Sequence, residues 1–211
     1  MLDYYAKRAS EHDKVYEKPE RQKDLAEIKN ILSSSFVKND VLEIACGTGY
    51  WTQYISNSAK SIIATDYNIE VINIAKKRKY GDCKVDFIVS DAYKLDGIAN
   101  HFTGCFYGFW WSHIPLQKLS EFLNTLHTHL KSGSKVIVID NSYIESSSTP
   151  ISRRDEFGNS FQKRVLENGK EFEILKNFPS ADNIKSTLTP YVSHASIKQF
   201  QYYWLAEYII K

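Results

Sequence analysis

Several protein classes are excluded by what this chain lacks. Its 211 residues include three cysteines, Cys46, Cys83 and Cys105. They are odd in number, far apart and form no C-x-x-C pair, so neither a disulfide framework nor a zinc site is indicated, and no metal is expected. No apolar run reaches the roughly 18 residues that a membrane-spanning helix needs. The opening Met1-Leu2-Asp3-Tyr4-Tyr5 is followed at once by charges, so no signal peptide is read there. A cytoplasmic protein without a membrane partner is the expectation. An excess of one charge is missing too: 27 Lys and Arg face 25 Asp and Glu, a net charge of +2. Bulk charge therefore gives no reason to expect a nucleic-acid partner. There is no internal repeat, no low-complexity segment and no break in composition that would mark a domain boundary.

The apolar residues, 43% of the chain, are enough for one buried core, and they are patterned. Leu25, Ile28, Ile31 and Leu32 recur at helical spacing and predict a helix over residues 20–34, with Pro19 at its start. Val41 to Ala45 predicts a buried strand, Tyr50 to Ser58 a short helix and Ser61 to Thr65 a second strand ending at Asp66. Asn68 is placed to cap a helix reaching Lys79. Val85 to Val89 and Phe102 to Trp110 predict the third and fourth strands. Leu116 to Leu130 follows as an amphipathic helix. Lys131-Ser132-Gly133-Ser134 is a stop signal before a fifth strand, Lys135 to Asp140. Short apolar strands alternating with helices indicate a parallel sheet covered on both faces, an open doubly wound α/β fold.

The tail breaks this rhythm. Residues 141–159 are polar, and residues 160–176 predict a β-hairpin turning at Asn168-Gly169. A helix from Pro179 to about Pro190 and two β-rich segments over 193–210 complete the chain.

The informative stretch is Val41-Leu42-Glu43-Ile44-Ala45-Cys46-Gly47-Thr48-Gly49-Tyr50. A buried strand enters a tight glycine turn that opens a helix. Such a turn lets a ligand approach the backbone, and the helix start offers unpaired N–H groups. The third position of a dinucleotide G-x-G-x-x-G fingerprint is Thr52, so a pyrophosphate is not specifically indicated. Asp66 and Asp91 close the next two strands, where carboxylates can accept hydrogen bonds from ribose hydroxyls and an adenine amine. In open α/β sheets ligands bind at the carboxyl ends of the strands.

VLEIACGTGYWT, IIATDYN and DFIVSDAYKL, in this order and spacing, resemble motifs I, II and III of the class I S-adenosylmethionine-dependent methyltransferases. The similarity covers roughly residues 1–140. It implies a Rossmann-like, seven-stranded, mostly parallel sheet with an antiparallel last strand, in three α/β/α layers, with S-adenosylmethionine (SAM) as cofactor. It implies that Glu43 organises the loop through backbone hydrogen bonds and that Gly47 and Gly49 border the methionine part. Asp66 would hold the ribose, Asp91 and Ala92 would line the adenine pocket, and Ala45, Thr48, Tyr67 and Trp110 would be further cofactor contacts. The N-terminal segment resembles the cap of small-molecule members, so Tyr5 and Arg8 are carried over as cofactor contacts and residues 1–35 as a helical cap.

The resemblance puts the transfer site after the fourth strand, at Phe109 to Pro115. His113 is the candidate general base, because its unperturbed pKa lies near 6.5; the alternative is a structural histidine bonded to a backbone carbonyl. His194 is a second candidate. Trp111, His113 and Arg154 are the candidate substrate contacts, and residues 141–177 form an insert or lid within one domain. No [NDS]-P-P-[FYW] motif is present, which disfavours methylation of a base amine. No acidic residue lies from Phe106 to His113, which disfavours metal-bound catechol chemistry. The expected partner is a small-molecule substrate, with the protein a monomer or homodimer. The alternatives are a methyltransferase acting on protein or RNA, a nicotinamide-dependent oxidoreductase and a SAM-binding protein without turnover.

Overall fold

The computed structural model describes residues 9–99, 101–166 and 169–211. Its centre is a seven-stranded sheet in the order β3-β2-β1-β4-β5-β10-β9. The strands are β1 (Asp40–Ile44), β2 (Ser61–Asp66), β3 (Lys84–Val89), β4 (Phe102–Gly108), β5 (Leu130–Asn141), β9 (Val192–Gln199) and β10 (Tyr203–Ile210). β1 pairs in parallel with β2 and β4, and β10 runs antiparallel to both β5 and β9. The seven-stranded sheet with an antiparallel last strand is thus borne out. Its strand order reverses between β1 and β4, and a crevice opens at such a switch point.

Alternation along the strands sorts the core onto two faces. Leu42 and Ile44 of β1 point to one face with Tyr107, Val136, Val138 and Trp204. There α4 (Leu119–Thr128) and α5 (Ala181–Leu188) cover them with Phe122, Leu126, Ile184 and Leu188. Val41 points to the other face with Ile62, Phe106, Ile137 and Leu205, under Leu25, Ile28 and Leu32 of α1 (Gln22–Ser35).

Boundaries differ from the sequence expectation for local reasons. The helix expected over 50–58 is a single turn, α2 (Thr52–Ile55). The helix expected to reach Lys79 ends as α3 (Ile69–Ala75). The Tyr80 hydroxyl donates to the Ala75 carbonyl at 2.7 Å, and the following amides tighten to i−3 bonds, so the α-ladder stops there. β4 stops at Gly108 because Phe109 adopts a left-handed backbone, φ 59°. The 131–134 segment, expected to break the chain, lies inside β5 with Gly133 at φ 82°.

The polar 141–159 stretch hides a strand. β6 (Ile151–Arg154), β7 (Ser160–Val165) and β8 (Glu171–Leu175) form a separate antiparallel sheet. The hairpin over 160–176 is present as β7 and β8, while Asn168 of its turn lies outside the described residues. Buried amides dock this small sheet onto the segment after β4. Asn177 N–H donates to the Ser112 carbonyl at 2.7 Å, and its side chain donates to the Ile114 carbonyl. Asn159 Oδ1 accepts from Leu116 N–H at 2.7 Å. Each of these buried polar groups is satisfied, so the docking has one defined geometry.

Candidate active site

One cavity of about 560 Å³ lies at the carboxyl ends of the central strands. That size is ordinary for a cofactor or drug-sized ligand site. Ala45, Gly47, Thr48, Asp66, Tyr67, Asp91, Ala92, Trp110 and His113 all line it. The structure therefore brings together nine of the residues that the sequence singled out. Five others take a different place, and Tyr5 and Arg8 lie outside the described residues.

The glycine turn is shaped by backbone. Ala45, Gly47 and Gly49 have φ of 54°, 56° and 73°, and a left-handed alanine is the kind of strain that clusters at functional sites. Gly49, expected at the ligand, is not among the lining residues; a Cβ there would overlap the Tyr80 hydroxyl and crowd Ala75. Its role is to let α3 pack against the turn. Thr48 is buried, and its hydroxyl donates to Asp13 Oδ1 at 2.6 Å. Arg78 donates to the Thr48 carbonyl at 2.6 Å and pairs with Asp13. The turn is thus latched to the segment preceding α1.

Asp66 does what the motif assigned to Glu43. Its Oδ2 accepts from Gly47 N–H and its Oδ1 from Asn68 N–H, both at 2.9 Å. The carboxylate so held lines the cavity. Glu43 instead lies below the turn, away from the cavity, with its Oε2 buried and without a partner. Burial pushes its pKa up to about 8; the Thr52 hydroxyl opposes the shift and the Asp66 charge adds to it. Glu43 is therefore protonated at neutral pH. Asp91 Oδ1 accepts from Tyr93 N–H at 2.8 Å, a tight turn that presents the carboxylate beside Asp66.

Two expected substrate contacts fall elsewhere. Trp111 is 3% exposed and packs in the core, stacked on Tyr107 and edge-on to Trp204. Arg154 is exposed at the end of β6, beside the turn at Gly158. His194 lies exposed on β9 and does not line the cavity. His113 does line it. Its Nδ1–H donates to the Leu175 carbonyl at 2.7 Å, the structural alternative weighed from sequence. Burial lowers its pKa to about 3, with the Lys176 charge adding to the shift and Asp140 opposing it.

Sequence reasoning missed the far wall of the cavity. Arg21, Arg164 and Lys176 line it, with Gln162, Ser147 and Thr149. Lys176 is buried, and its ammonium donates to Asp140 Oδ1 at 3.0 Å and Ser112 Oγ at 2.6 Å. Asp140 is fully buried. Burial alone would raise its pKa, but Lys176, His113 and the amides of Ser112 and Asn141 hold it below the usual range. Burial lowers Lys176 against the pull of Asp140. Period-two alternation in β7 was the one available signal, since Gln162 and Arg164 share a face opposite Lys163.

The comparisons with known proteins agree with this geometry. A family described as a methyltransferase domain matches residues 41–133. The structure of a DhpI–SAH complex superposes with a TM-score of 0.80 at 26% identity, covering 99% of this chain and 94% of that one. A DhpI–SAM–HEP complex gives 0.79 at 25% identity, over 98% and 94%. The demethylmenaquinone methyltransferase of Clavibacter sepedonicus is 23% identical over 170 residues, 77% of this chain and 66% of its own. The malonyl-(acyl-carrier protein) O-methyltransferase of Priestia megaterium is 36% identical over 95 residues, 42% and 34% respectively. The chain thus spans about two thirds and one third of the lengths of these two curated relatives. The fold is that of the SAH- and SAM-bound neighbours, and residues 41–133 carry the match to a methyltransferase domain, for which SAM is the cofactor.

The lining residues suit that cofactor. At the glycine-turn end the charged lining residues are two carboxylates, Asp66 and Asp91. They match hydroxyls and amines and would repel a pyrophosphate. Among the described residues no helix is long and apolar enough to cross a membrane, and no cluster of potential metal ligands occurs.

Proposed function

We propose that this chain transfers a methyl group from SAM to a small-molecule acceptor held in the far half of the cavity. The observation that carries the reading is a single cavity with two chemically distinct ends, one at the strand tips and one walled by the β6–β8 sheet. In this reading Asp66 takes the ribose hydroxyls, with Tyr67 at the rim. Asp91 and Ala92 border the adenine. Ala45, Gly47 and Thr48 border the methionine part, and Trp110 lies beside it. Bound SAM supplies a methyl group on a positively charged sulfur.

The chain's own contribution is to bind, orient and exclude water. Tyr16, Tyr50, Trp51, Phe109 and Tyr203 form a contiguous aromatic lining, with Tyr16 and Tyr50 stacked at 4.0 Å. Such faces suit a cation and keep the chamber poor in water. The 141–177 insert acts as a docked wall on the far side of the cavity, which favours a small acceptor. His113 serves as a neutral orienting group. Nδ1–H fixes the ring on the Leu175 carbonyl, and burial with the nearby Lys176 charge disfavours the imidazolium that a general base must become.

Thermal melts with S-adenosylhomocysteine (SAH) and with NADPH test the assignment. At 100 times its Kd, SAH should stabilise by about 2.7 kcal/mol, and NADPH should leave the melt unchanged. Stabilisation by NADPH alone would reverse the assignment. Methyl-labelled SAM incubated with a metabolite extract should yield a labelled small molecule; label found only in protein or RNA would refute the small-acceptor reading.

A further inference from the structure

Arg78 is not among the residues that line the cavity, yet it grips the turn that does. Its Nε–H donates to the Thr48 carbonyl at 2.6 Å, and its Nη2 pairs with the Asp13 carboxylate and lies 3.4 Å from Thr48 Oγ1. Asp13 closes the ring of bonds by accepting from the Thr48 hydroxyl at 2.6 Å. The two charged side chains are only 23% and 31% exposed, so water and salt screen the pair less than an open surface pair. Lys76, Lys77 and Lys79 beside Arg78 are exposed. Arg78 follows α3, and α3 begins after Asn68, whose N–H anchors Asp66. Asp66 in turn accepts from Gly47 N–H. The stretch from Asp66 to Arg78 thus braces two successive residues of the turn, Gly47 from its start and Thr48 from its end. A turn that keeps a left-handed alanine, Ala45 at φ 54°, persists only where its surroundings hold it.

We propose that Arg78 and Asp13 are positioning residues for the amino-acid end of SAM and act on it through Thr48. The inference rests on the methyltransferase reading above, in which Gly47 and Thr48 border the methionine part. An arginine suits the task because one planar group reaches a carbonyl and a carboxylate at fixed angles; a lysine ammonium has no such fork. Holding the Thr48 carbonyl fixes the plane of the peptide between Thr48 and Gly49. Gly49 N–H completes the turn by donating to the Cys46 carbonyl at 3.0 Å. Without the guanidinium that peptide loses its anchor, and the backbone bordering the methionine no longer keeps one shape. The nucleoside end is anchored separately, since Asp66 keeps Asn68 N–H and Asp91 keeps Tyr93 N–H. The effect of the latch therefore falls on one portion of the cofactor.

The test compares two ligands that differ by that portion. SAH carries the amino-acid chain, while 5′-methylthioadenosine keeps the nucleoside and the sulfur and lacks it. SAH is titrated by calorimetry into the unmutated protein and its variants, and 5′-methylthioadenosine is measured by competition with SAH. Arg78→Met and Asp13→Asn should each weaken SAH about tenfold or more, with 5′-methylthioadenosine within about threefold and the ligand-free melting midpoint little changed. The double variant should lose no more than the worse single one, because either change opens the same latch. Lys77→Met, which removes the same charge from the neighbouring position, should leave both ligands unaffected. Equal losses for the two ligands, an equal loss in Lys77→Met, or unchanged SAH affinity in both latch variants would overturn the proposal. Asp13→Asn, almost isosteric, keeps the test decisive where Arg78→Met does not fold. Absence of SAH binding by the unmutated protein would instead overturn the methyltransferase reading beneath it.

Discussion

At one end of the cavity, Asp66 and Asp91 stand on the tips of the adjacent strands β2 and β3, each anchored by nearby backbone amides. At the other, Arg21 comes from the turn before α1, Arg164 from β7 and Lys176 from just after β8, some 155 residues further along the chain. The first end is a product of the sheet: once β1, β2 and β3 pair in register, their carboxyl ends meet. The second is a product of docking and exists only because the small sheet is seated on the Trp111–Leu116 segment. A fold fixes where the first ligand goes, while the choice of second ligand is left to an appended piece.

The sharpest way to break the comparison is to remove Lys176. Lys176→Met leaves the carboxylate of Asp140 buried without its counter-charge, at a cost of about 3–5 kcal/mol of stability. Urea unfolding should show it as a lower midpoint, and double replacement with Asp140→Leu should recover much of it. Next in size, Asp66→Ala should weaken SAH binding by about 1.5–3 kcal/mol, because a charge-assisted ribose contact and the anchor of Gly47 N–H disappear together. Calorimetry on the folded variant reads the loss directly.

Glu43 sharpens the contrast through pH. Its pKa is raised from 4.5 to about 8 on folding. Between those values the folded chain holds a proton that the unfolded chain has lost, so this group makes stability fall as pH rises from about 4.5 to 8. Glu43→Gln, which mimics the protonated acid, should remove that slope and stabilise by about 1–3 kcal/mol at pH 8. Melts across the pH range decide it. The smallest effect is expected at Arg154: replacement with Ala should leave stability within about 0.5 kcal/mol and substrate affinity unchanged, in contrast with Arg164.

That last pair shows what the chain made legible. The parallel sheet, the glycine turn and both strand-end aspartates could be read because they depend on local patterns: apolar runs, period-two alternation and turn residues at fixed spacing. Glu43 and Gly49 were found by motif but given the wrong surroundings, since a motif names positions and not which way side chains face. Arg154 was singled out and Arg164 was not, although both lie in a polar, charged stretch. Only the register of β6, β7 and β8 tells which one meets the cavity. Lys176, Ser112 and Asp140 were invisible as a group because nothing local ties together residues 28 and 36 apart. Trp111 carried the signal of an aromatic near the site, yet the 3-10 turn at Trp111–His113 turns it into the core.

The latch between Asp13, Thr48 and Arg78 has a thermodynamic corollary. It ties the glycine turn to the stretch that carries Tyr16 and, a few residues on, Arg21, which belong to the opposite chamber. A movement of the turn would be felt by that stretch, and any change it made in one ligand's affinity would be matched by the same factor in the other's. The two halves of the cavity therefore share one piece of backbone, and neither can be rebuilt without regard to the other.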